Sequence, residues 1–205
     1  MRKRNTLRQG FACPERSTMT VHDAVHARRT IRKFTREAVP EALVKAWIDG
    51  ARLSPCSANQ QPLKYKLLMG DAAAPLLPFL RWAVMIAPQL EPKPEELPPA
   101  FVVIAVDTAI RAAGAEIDVG IAAQTIALLA EEQGVASALL SLRSREVPVR
   151  DALHLPEQMM PALAIALGHS AMEAEAVPYE DTHKYRLDED GKLLVPKRSL
   201  SEVLL

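Results

Sequence analysis

The sequence has little of what disulfide scaffolds, metal clusters and glycine-rich nucleotide loops require. Its 205 residues include two cysteines, Cys13 and Cys56, which are too few for a disulfide framework and make a cytoplasmic location the expectation. The eight glycines include no Gly-x-Gly pair, so the common dinucleotide fingerprint and the P-loop are both excluded. The Gly-x-Ser-x-Gly motif of serine hydrolases is also missing.

The chain also lacks an excess of either charge and a long apolar run. Lys+Arg and Asp+Glu each total 25, whereas nucleic-acid-binding proteins usually carry a marked basic excess. No apolar run approaches the roughly 20 residues that cross a bilayer. No apolar segment follows the basic start of the chain, so a secretory signal is not expected. Neither nucleic acid nor a membrane is predicted as a partner.

The histidines and cysteines form no catalytic or metal-binding pattern. His22 and His26 are spaced like two ligands on one helix face, but no third ligand has suitable spacing, so exposed helix histidines are expected. Cys56 reads either as a nucleophile or as a small filler thiol. The second interpretation is favoured because nothing marks a nearby histidine as its base. No metal site and no catalytic side chain are predicted.

Apolar periodicity, caps and turn residues predict one α+β domain over residues 19–205, after a disordered or basic extension over residues 1–18. Helix 115–133 is apolar nearly all round, which predicts burial in a core or a subunit interface. The partial alternation of helices and strands favours a layered α+β domain that dimerises. The predicted elements are helices 20–28, 40–53, 72–87, 115–133 and 144–153, strands 65–69, 101–106, 135–142 and 162–167, an extended loop 88–99 and a last apolar segment 193–195.

Two basic clusters and one amide-rich loop remain as candidates for a ligand site. Each basic cluster alone is more typical of a solvated surface than of a site. Together with the loop over residues 54–62, they predict a phosphate on the basic groups and a heteroaromatic ring on the loop amides. The first cluster is Arg28, Arg29, Thr30 and Arg32, the second is Lys184 and Arg186, and the loop amides are Asn59 and Gln61.

A flavin fits this combination of groups. Its pyrimidine edge alternates carbonyl acceptors with an N–H donor, which the Asn59 and Gln61 carboxamides can match. A fixed cation near the N1/O2 edge favours the reduced flavin, and Arg32 is the candidate for that role. Aromatic residues make up only 4% of the chain, so a flat ligand must be held largely by aliphatic and polar groups.

With these residues in order, the chain resembles the FMN-dependent nitroreductase family. The resemblance covers roughly residues 20–200 and is carried by 28–34, 54–62, the helix ending in Gly134, the strand 135–142, residues 155–169 and the tail 184–186. It implies a layered sandwich with a mostly antiparallel central sheet flanked by helices. It also implies a homodimer with two FMN sites at the subunit interface, helix 115–133 in the dimer core, and C-terminal tails exchanged so that residues 193–195 extend the partner's sheet.

The same resemblance assigns the contacts to FMN. It implies that the basic residues of one subunit hold the phosphate and ribityl chain, that polar residues of the partner reach the ring, and that the segment 139–141 packs beside the ring. The implied residues are Arg28, Arg29, Thr30, Arg32, Lys184 and Arg186 from one chain, Ser57, Asn59 and Gln61 from the partner, and Leu140 and Ser141 beside the ring.

The reaction implied by the family is ping-pong transfer of a hydride from NAD(P)H through FMN to an electron-poor acceptor, such as a nitroaromatic or a quinone. This chain departs from the family in having only about residues 108–114 between a strand and helix 115–133, where many members insert a helical excursion that covers the active site. Two alternatives therefore stay open: a flavin-sequestering dimer with little turnover, and a structural dimer without cofactor.

Overall fold

The computed structural model describes residues 18–83, 85–86 and 88–205. The predicted N-terminal extension lies outside the described residues except for Thr18. The helices are α1 (Val21–Ala27), α2 (Glu41–Ala51), α3 (Glu116–Glu132), α4 (Glu146–Ala152) and α5 (Leu200–Val203). The strands are β1 (Leu63–Met69), β2 (Ala100–Asp107), β3 (Ala136–Ser141), β4 (Met159–Gly168), β5 (Ala174–Pro178), β6 (Arg186–Leu187) and β7 (Leu193–Lys197).

The centre of the fold is a four-stranded antiparallel sheet. Its strand order is β1-β2-β4-β3, and each neighbouring pair is antiparallel. β2 is buried along almost its whole length, as its uninterrupted apolar sequence predicts for a strand covered on both faces. This arrangement confirms the predicted α+β class with a mostly antiparallel central sheet and flanking helices.

Each face of the sheet supports its own apolar core. On one face α2 and α3 pack against the strands, and Trp47, Ile126 and Ile165 are buried there. On the other face, Phe34, Phe101 and Leu140 pack with the segment after β1 and with α4. Because side chains alternate across a strand, neighbouring residues such as Leu139 and Leu140 contribute to opposite cores.

The C-terminal segment differs from the predicted exchange of tails. β7 lies between β5, to which it is parallel, and β6, to which it is antiparallel, in a second sheet of the same chain. Leu193 is buried there against Leu90. Residues 193–195 therefore complete a sheet of their own chain in this structure, and the prediction that they extend a partner's sheet is not confirmed.

Two local predictions were wrong for identifiable reasons. Residues 72–87 were expected to form a helix, but the described part of this segment contains only 3₁₀ turns at Gly70–Ala73 and Leu77–Phe79. Pro75 and Pro78 remove backbone donors and prevent a continuous helix. The helix predicted over residues 144–153 begins later, because Ser144 has a φ of 67° and Arg145 is the N-cap residue of α4.

A glycine at the end of β4 lets the basic segment lie close to the sheet. A Cβ added at Gly168 would approach Pro99 Cδ to 2.7 Å and Phe34 Cδ1 to 2.9 Å. Phe34 is 1% exposed, so its ring cannot move aside into solvent. Gly168→Ala is therefore expected to lower the free energy of unfolding by about 1–3 kcal/mol, the usual cost of overpacking a core. Urea denaturation monitored by circular dichroism measures this change, and an unchanged midpoint would contradict the tight packing.

Candidate functional site

The basic segment after α1 runs along the outer side of β3. Thr30 forms a parallel bridge with Ser137, and the Ile31 amide donates to the Ser137 carbonyl at 3.0 Å. A capping box between Thr20 and Asp23 fixes the start of α1. The position of α1 in turn fixes where the basic segment that follows it begins. The buried side chain of Phe34 anchors its far end.

Beyond this bridge, the edge of β3 offers free backbone groups. In the described part of the chain β3 pairs along its length only with β4, and the Thr30 bridge covers only Ser137. Backbone groups alternate in direction along a strand. Since the Ser137 carbonyl faces the outer edge, those of Leu139 and Ser141 do so as well. Arg145 Nη2 already donates to the Ser141 carbonyl at 2.9 Å.

Of the two residues predicted beside a ring, Ser141 lies at this edge and Leu140 does not. Leu140 is 3% exposed, and its side chain belongs to the core shared with Phe101 and Phe34. The Leu140 backbone faces β4 by the same alternation. Leu139 and Ser141 are therefore the residues of this segment that can meet a ligand at the edge.

Four buried polar atoms along this edge have no hydrogen-bond partner among the described residues. They are Arg28 Nε, Arg29 Nε, Ser137 Oγ and Arg145 Nε. Ser137 is in β3, Arg145 contacts its last residue, and the other two precede the Thr30 bridge. Buried polar groups normally have partners, and donors left in this state indicate a place where an anionic or hydrogen-bonding ligand fits.

The two adjacent arginines are not equivalent. Arg29 donates through Nη1 and Nη2 to the carbonyls of Arg28 and His26, so much of its guanidinium caps the end of α1. Within the described residues, the Arg28 guanidinium has no hydrogen bond or ion pair. Burial lowers the pKa of Arg28 and Arg29 lowers it further, while the carboxylate of Glu131 opposes the change. Arg28 is consequently the more available anion ligand.

Glu131 is the acidic neighbour of this arginine pair. It lies near the C-terminal end of α3, where burial raises its pKa and the charges of Arg28 and Arg29 oppose that rise. The half-buried carboxylate offsets only part of the local positive charge, because two guanidinium groups face one carboxylate. The site therefore keeps a net attraction for an anion.

Arg32 joins the two basic clusters that are far apart in sequence. Its Nε donates to the Trp82 carbonyl, its Nη2 lies 3.5 Å from Tyr185 Oη, and its guanidinium carbon lies 4.9 Å from the Tyr185 ring centroid. Burial is the main cause that lowers the pKa of Arg32, and Tyr185 opposes it. Lys184 and Arg186 flank Tyr185 and are exposed. The structure thus brings the tail cluster to Arg32, whose own donors are already partly engaged.

The amide-rich loop carries three non-glycine residues in the left-handed conformation. Ala58, Asn59 and Gln61 have φ values of 51°, 51° and 54°. Such residues cluster at ligand sites more often than elsewhere, because surrounding contacts must hold the strain. Gln61 Nε2 lies 3.3 Å from both Asn59 O and Asn59 Oδ1, and Ser57, Asn59 and Gln61 are all exposed.

The loop and the basic segment do not meet within one chain. No hydrogen bond or ion pair among the described residues joins residues 57–61 to residues 28–32. The loop is instead tied to α3, where Ser54 Oγ lies 3.0 Å from Thr125 Oγ1.

Comparison with known proteins shows to which family this chain belongs. Residues 25–169 match the sequence profile of the Nitroreductase family. The chain belongs to the nitroreductase family. It is 26% identical over 160 residues to a protein of Methanothermobacter thermautotrophicus described as an NADH dehydrogenase/NAD(P)H nitroreductase, with 76% of this chain and 80% of that protein covered.

Solved structures show the same fold. A nitroreductase from Desulfovibrio desulfuricans, crystallised in complex with FMN, matches with a TM-score of 0.66 and 22% identity over 90% of this chain and 95% of that one. An FMN-dependent nitroreductase from Clostridium difficile gives a TM-score of 0.62 and 22% identity over 77% and 91%. The nitroreductase-like fold expected from the sequence is confirmed.

This nitroreductase-family chain has a short connection between β2 and α3, as predicted. Residues 108–115 join them through turns, without a helix. A cleft of about 430 Å³ opens beside this connector. Its lining includes Thr108, Gly114, Ser141, Arg143 and Met160. The open space therefore adjoins the free end of β3.

Sequence reasoning missed three residues of the site. Arg145 and Asp118 look like ordinary charges near helix starts, and Ser137 looks like one small residue in a strand. Their sequence neighbours carried no signal, because what distinguishes them is the burial of Asp118, of Ser137 and of the Nε atom of Arg145. Only the packing of β3 against the basic segment, and of the loop against α3, shows their positions.

Proposed function

We propose that this chain is an FMN-dependent oxidoreductase that passes a hydride from NAD(P)H to an electron-poor acceptor, a nitroaromatic or a quinone. The observation that carries the proposal is the set of buried, unpartnered donors along the free edge of β3. Membership of the nitroreductase family and the FMN named for its structural neighbours support the choice of cofactor.

The basic residues would hold the anionic end of FMN. Arg28 has a guanidinium available for bidentate contact with a phosphate. Thr30, which forms a β-bridge with Ser137, adds a hydroxyl. Lys184 and Arg186 add exposed charges through the Tyr185–Arg32 contact. Arg29 contributes mainly charge, because its Nη atoms already cap α1.

The ring would lie along the β3 edge. The backbone groups of Leu139 and Ser141 can hydrogen-bond a heteroaromatic edge, while Leu140 supports them from the core. Ser57, Asn59 and Gln61 would approach from the partner subunit, as the family resemblance implies. Arg32 would supply positive charge to the ring while its guanidinium stays in contact with Trp82 and Tyr185.

Bound FMN would supply the hydride chemistry, so the protein's task is to bind, orient and exclude water. We assign no side chain as a general acid or base. Donor and acceptor would occupy the cleft beside Ser141 in turn, which gives ping-pong kinetics. The short connector leaves that cleft open, and this openness favours a second candidate function, a flavin-sequestering dimer with little turnover.

The working unit of this proposal is a cytoplasmic homodimer of one domain over residues 19–205. α3 presents an outward apolar row in which Ile117, Ile121 and Leu128 recur at helical spacing. Ile117 is 75% exposed in the single chain, which is costly for an isoleucine unless a partner covers it. Among the described residues no helix is long and apolar enough to cross a membrane.

A spectrum of the purified protein tests the proposal. We expect a yellow protein that releases FMN on denaturation, loses its colour with NADH or NADPH under anaerobic conditions, and regains it when a quinone is added. Colour without bleaching would support the sequestering dimer instead. A colourless protein that fails to bind added FMN would contradict both functions.

A further inference from the structure

A buried carboxylate lies directly under the amide-rich loop. Asp118, in the first turn of α3, is 4% exposed. Its Oδ1 accepts a hydrogen bond from the Ser57 backbone amide at 3.2 Å, and its Oδ2 accepts one from Arg111 Nη1 at 3.1 Å. One carboxylate thus joins the loop, the start of α3 and the connector that follows β2.

The hydrogen bond from Ser57 to Asp118 attaches the loop next to its residues with positive φ. Ser57 is immediately followed by Ala58 and Asn59, both with φ of 51°. The hydrogen bonds inside the loop are few and local, and they link only residues 56–61 to one another. The strained conformation therefore needs an attachment from outside, and the two attachments to α3 are Ser57 to Asp118 and Ser54 to Thr125.

The short connector supplies the cation that balances Asp118. Arg111 has a side chain 20% exposed, and its Nε also donates to the Ala113 carbonyl at 3.0 Å. Its backbone amide donates to Asp107 at the end of β2. A buried carboxylate without such a partner would be costly, and Arg111 is the cation that Asp118 contacts.

We propose that Asp118 is a positioning residue for FMN binding, acting through the Ser57 amide, and that Arg111 supports it. This inference rests on the proposed function. Asp118 itself lies under the loop and makes no contact with the flavin. It fixes the backbone from which Ser57, Asn59 and Gln61 extend. The connector, though too short to cover the cleft, thereby takes part in shaping the flavin site.

Two substitutions at Asp118 test its proposed role in positioning the loop for FMN binding. Asp118→Ala removes the acceptor and is expected to weaken FMN binding by about 10- to 100-fold, the usual effect of losing a hydrogen bond to a charged group. Asp118→Asn keeps one oxygen acceptor, which can serve the Ser57 amide but not Arg111 Nη1 as well, and is expected to bind FMN no more weakly than Asp118→Ala. Fluorescence titration of the apoprotein with FMN measures both affinities.

A substitution at Ser57 tests the route of the effect. Cys56 is extended, with φ −138° and ψ 157°, and Ser57 is the first residue of a 3₁₀ turn, so proline fits there and removes only the amide hydrogen and the hydroxyl. Ser57→Pro is compared with Ser57→Ala, which removes the hydroxyl alone. If Asp118 acts through this amide, adding Asp118→Ala to Ser57→Pro lowers FMN affinity no further.

The control is Asp49→Ala, which breaks the exposed ion pair of Asp49 with Arg52 at 2.6 Å, near the start of the same loop. It is expected to leave FMN affinity unchanged. Amide hydrogen exchange gives a readout without cofactor: exchange at residues 57–61 should accelerate in Asp118→Ala and not in the control.

The outcomes distinguish this inference from the proposed function. If the wild type binds no FMN, the proposed function is wrong. If the wild type binds FMN and Asp118→Ala binds it equally well, the positioning role is wrong while the function stands. Full additivity of Asp118→Ala with Ser57→Pro would also overturn the positioning role.

Discussion

Replacing Arg28 and Lys184 together by alanine is expected to lower the affinity for FMN by about 100-fold or more, since each substitution removes a charge-assisted contact to the phosphate. Arg28 carries the larger share. Its guanidinium makes no hydrogen bond or ion pair with other described residues, and its Nε is buried without a partner. Lys184 is exposed beside Tyr185, so its contribution is more strongly screened by solvent.

The matched control removes the same amount of positive charge elsewhere. Lys45 and Arg52 pair with Glu41 and Asp49 on the exposed side of α2. Their double alanine variant should bind FMN like the wild type. Isothermal titration with FMN measures both variants, while gel filtration compares their oligomeric state with that of the wild type. Equal affinity of the Arg28/Lys184 variant and the wild type would exclude the phosphate assignment.

Ile117→Lys is expected to dissociate the proposed dimer and, with it, to abolish tight FMN binding. A lysine in a buried apolar interface leaves an unpaired charge, and removing or introducing such a charge commonly costs several kcal/mol of association. The flavin is expected to be lost as well, because the proposed site takes the Ser57–Gln61 loop from the partner subunit. Sedimentation velocity measures the mass, and the absorbance of bound FMN measures the second effect.

Val147→Lys serves as the control for this experiment. Val147 is 47% exposed on α4, so the same chemical change is made at another exposed apolar position away from α3. It should leave mass and colour unchanged. A dimeric, yellow Ile117→Lys variant would show that α3 does not form the subunit contact.

The packing of Phe34 against Gly168 depends both on the local sequence and on a contact between distant residues. The sequence marks 28–34 as a basic segment ended by an aromatic residue, and in the structure the buried Phe34 ring anchors that segment in the core. The ring fits only because position 168, more than 130 residues later, has no Cβ to occupy its place. A single sequence does not show such a pairing of distant positions.

The elements with strong local signals were predictable. Short-range preferences fix the start of α1 at the Thr20 cap, the uninterrupted apolar run of β2 and the long apolar helix α3. Helices predicted over 20–28 and 115–133 and the strand predicted over 101–106 are confirmed. The segment 72–87 was not, since its apolar composition suits a helix while its prolines allow only turns in the described part.

The sequence by itself determined the layered α+β class, the basic segment, the amide-rich loop and the resemblance to nitroreductases, because periodicity, charge and turn chemistry act over a few residues. Only the tertiary structure decided which groups meet. It places the Leu140 side chain in the core and the backbone groups of Leu139 and Ser141 at the free edge of β3. It also engaged Arg32 with Trp82 and Tyr185, placed β7 within its own chain, and buried Asp118 beneath the loop. Contacts between distant segments depend on register and packing, and neither is written in any one stretch of the chain.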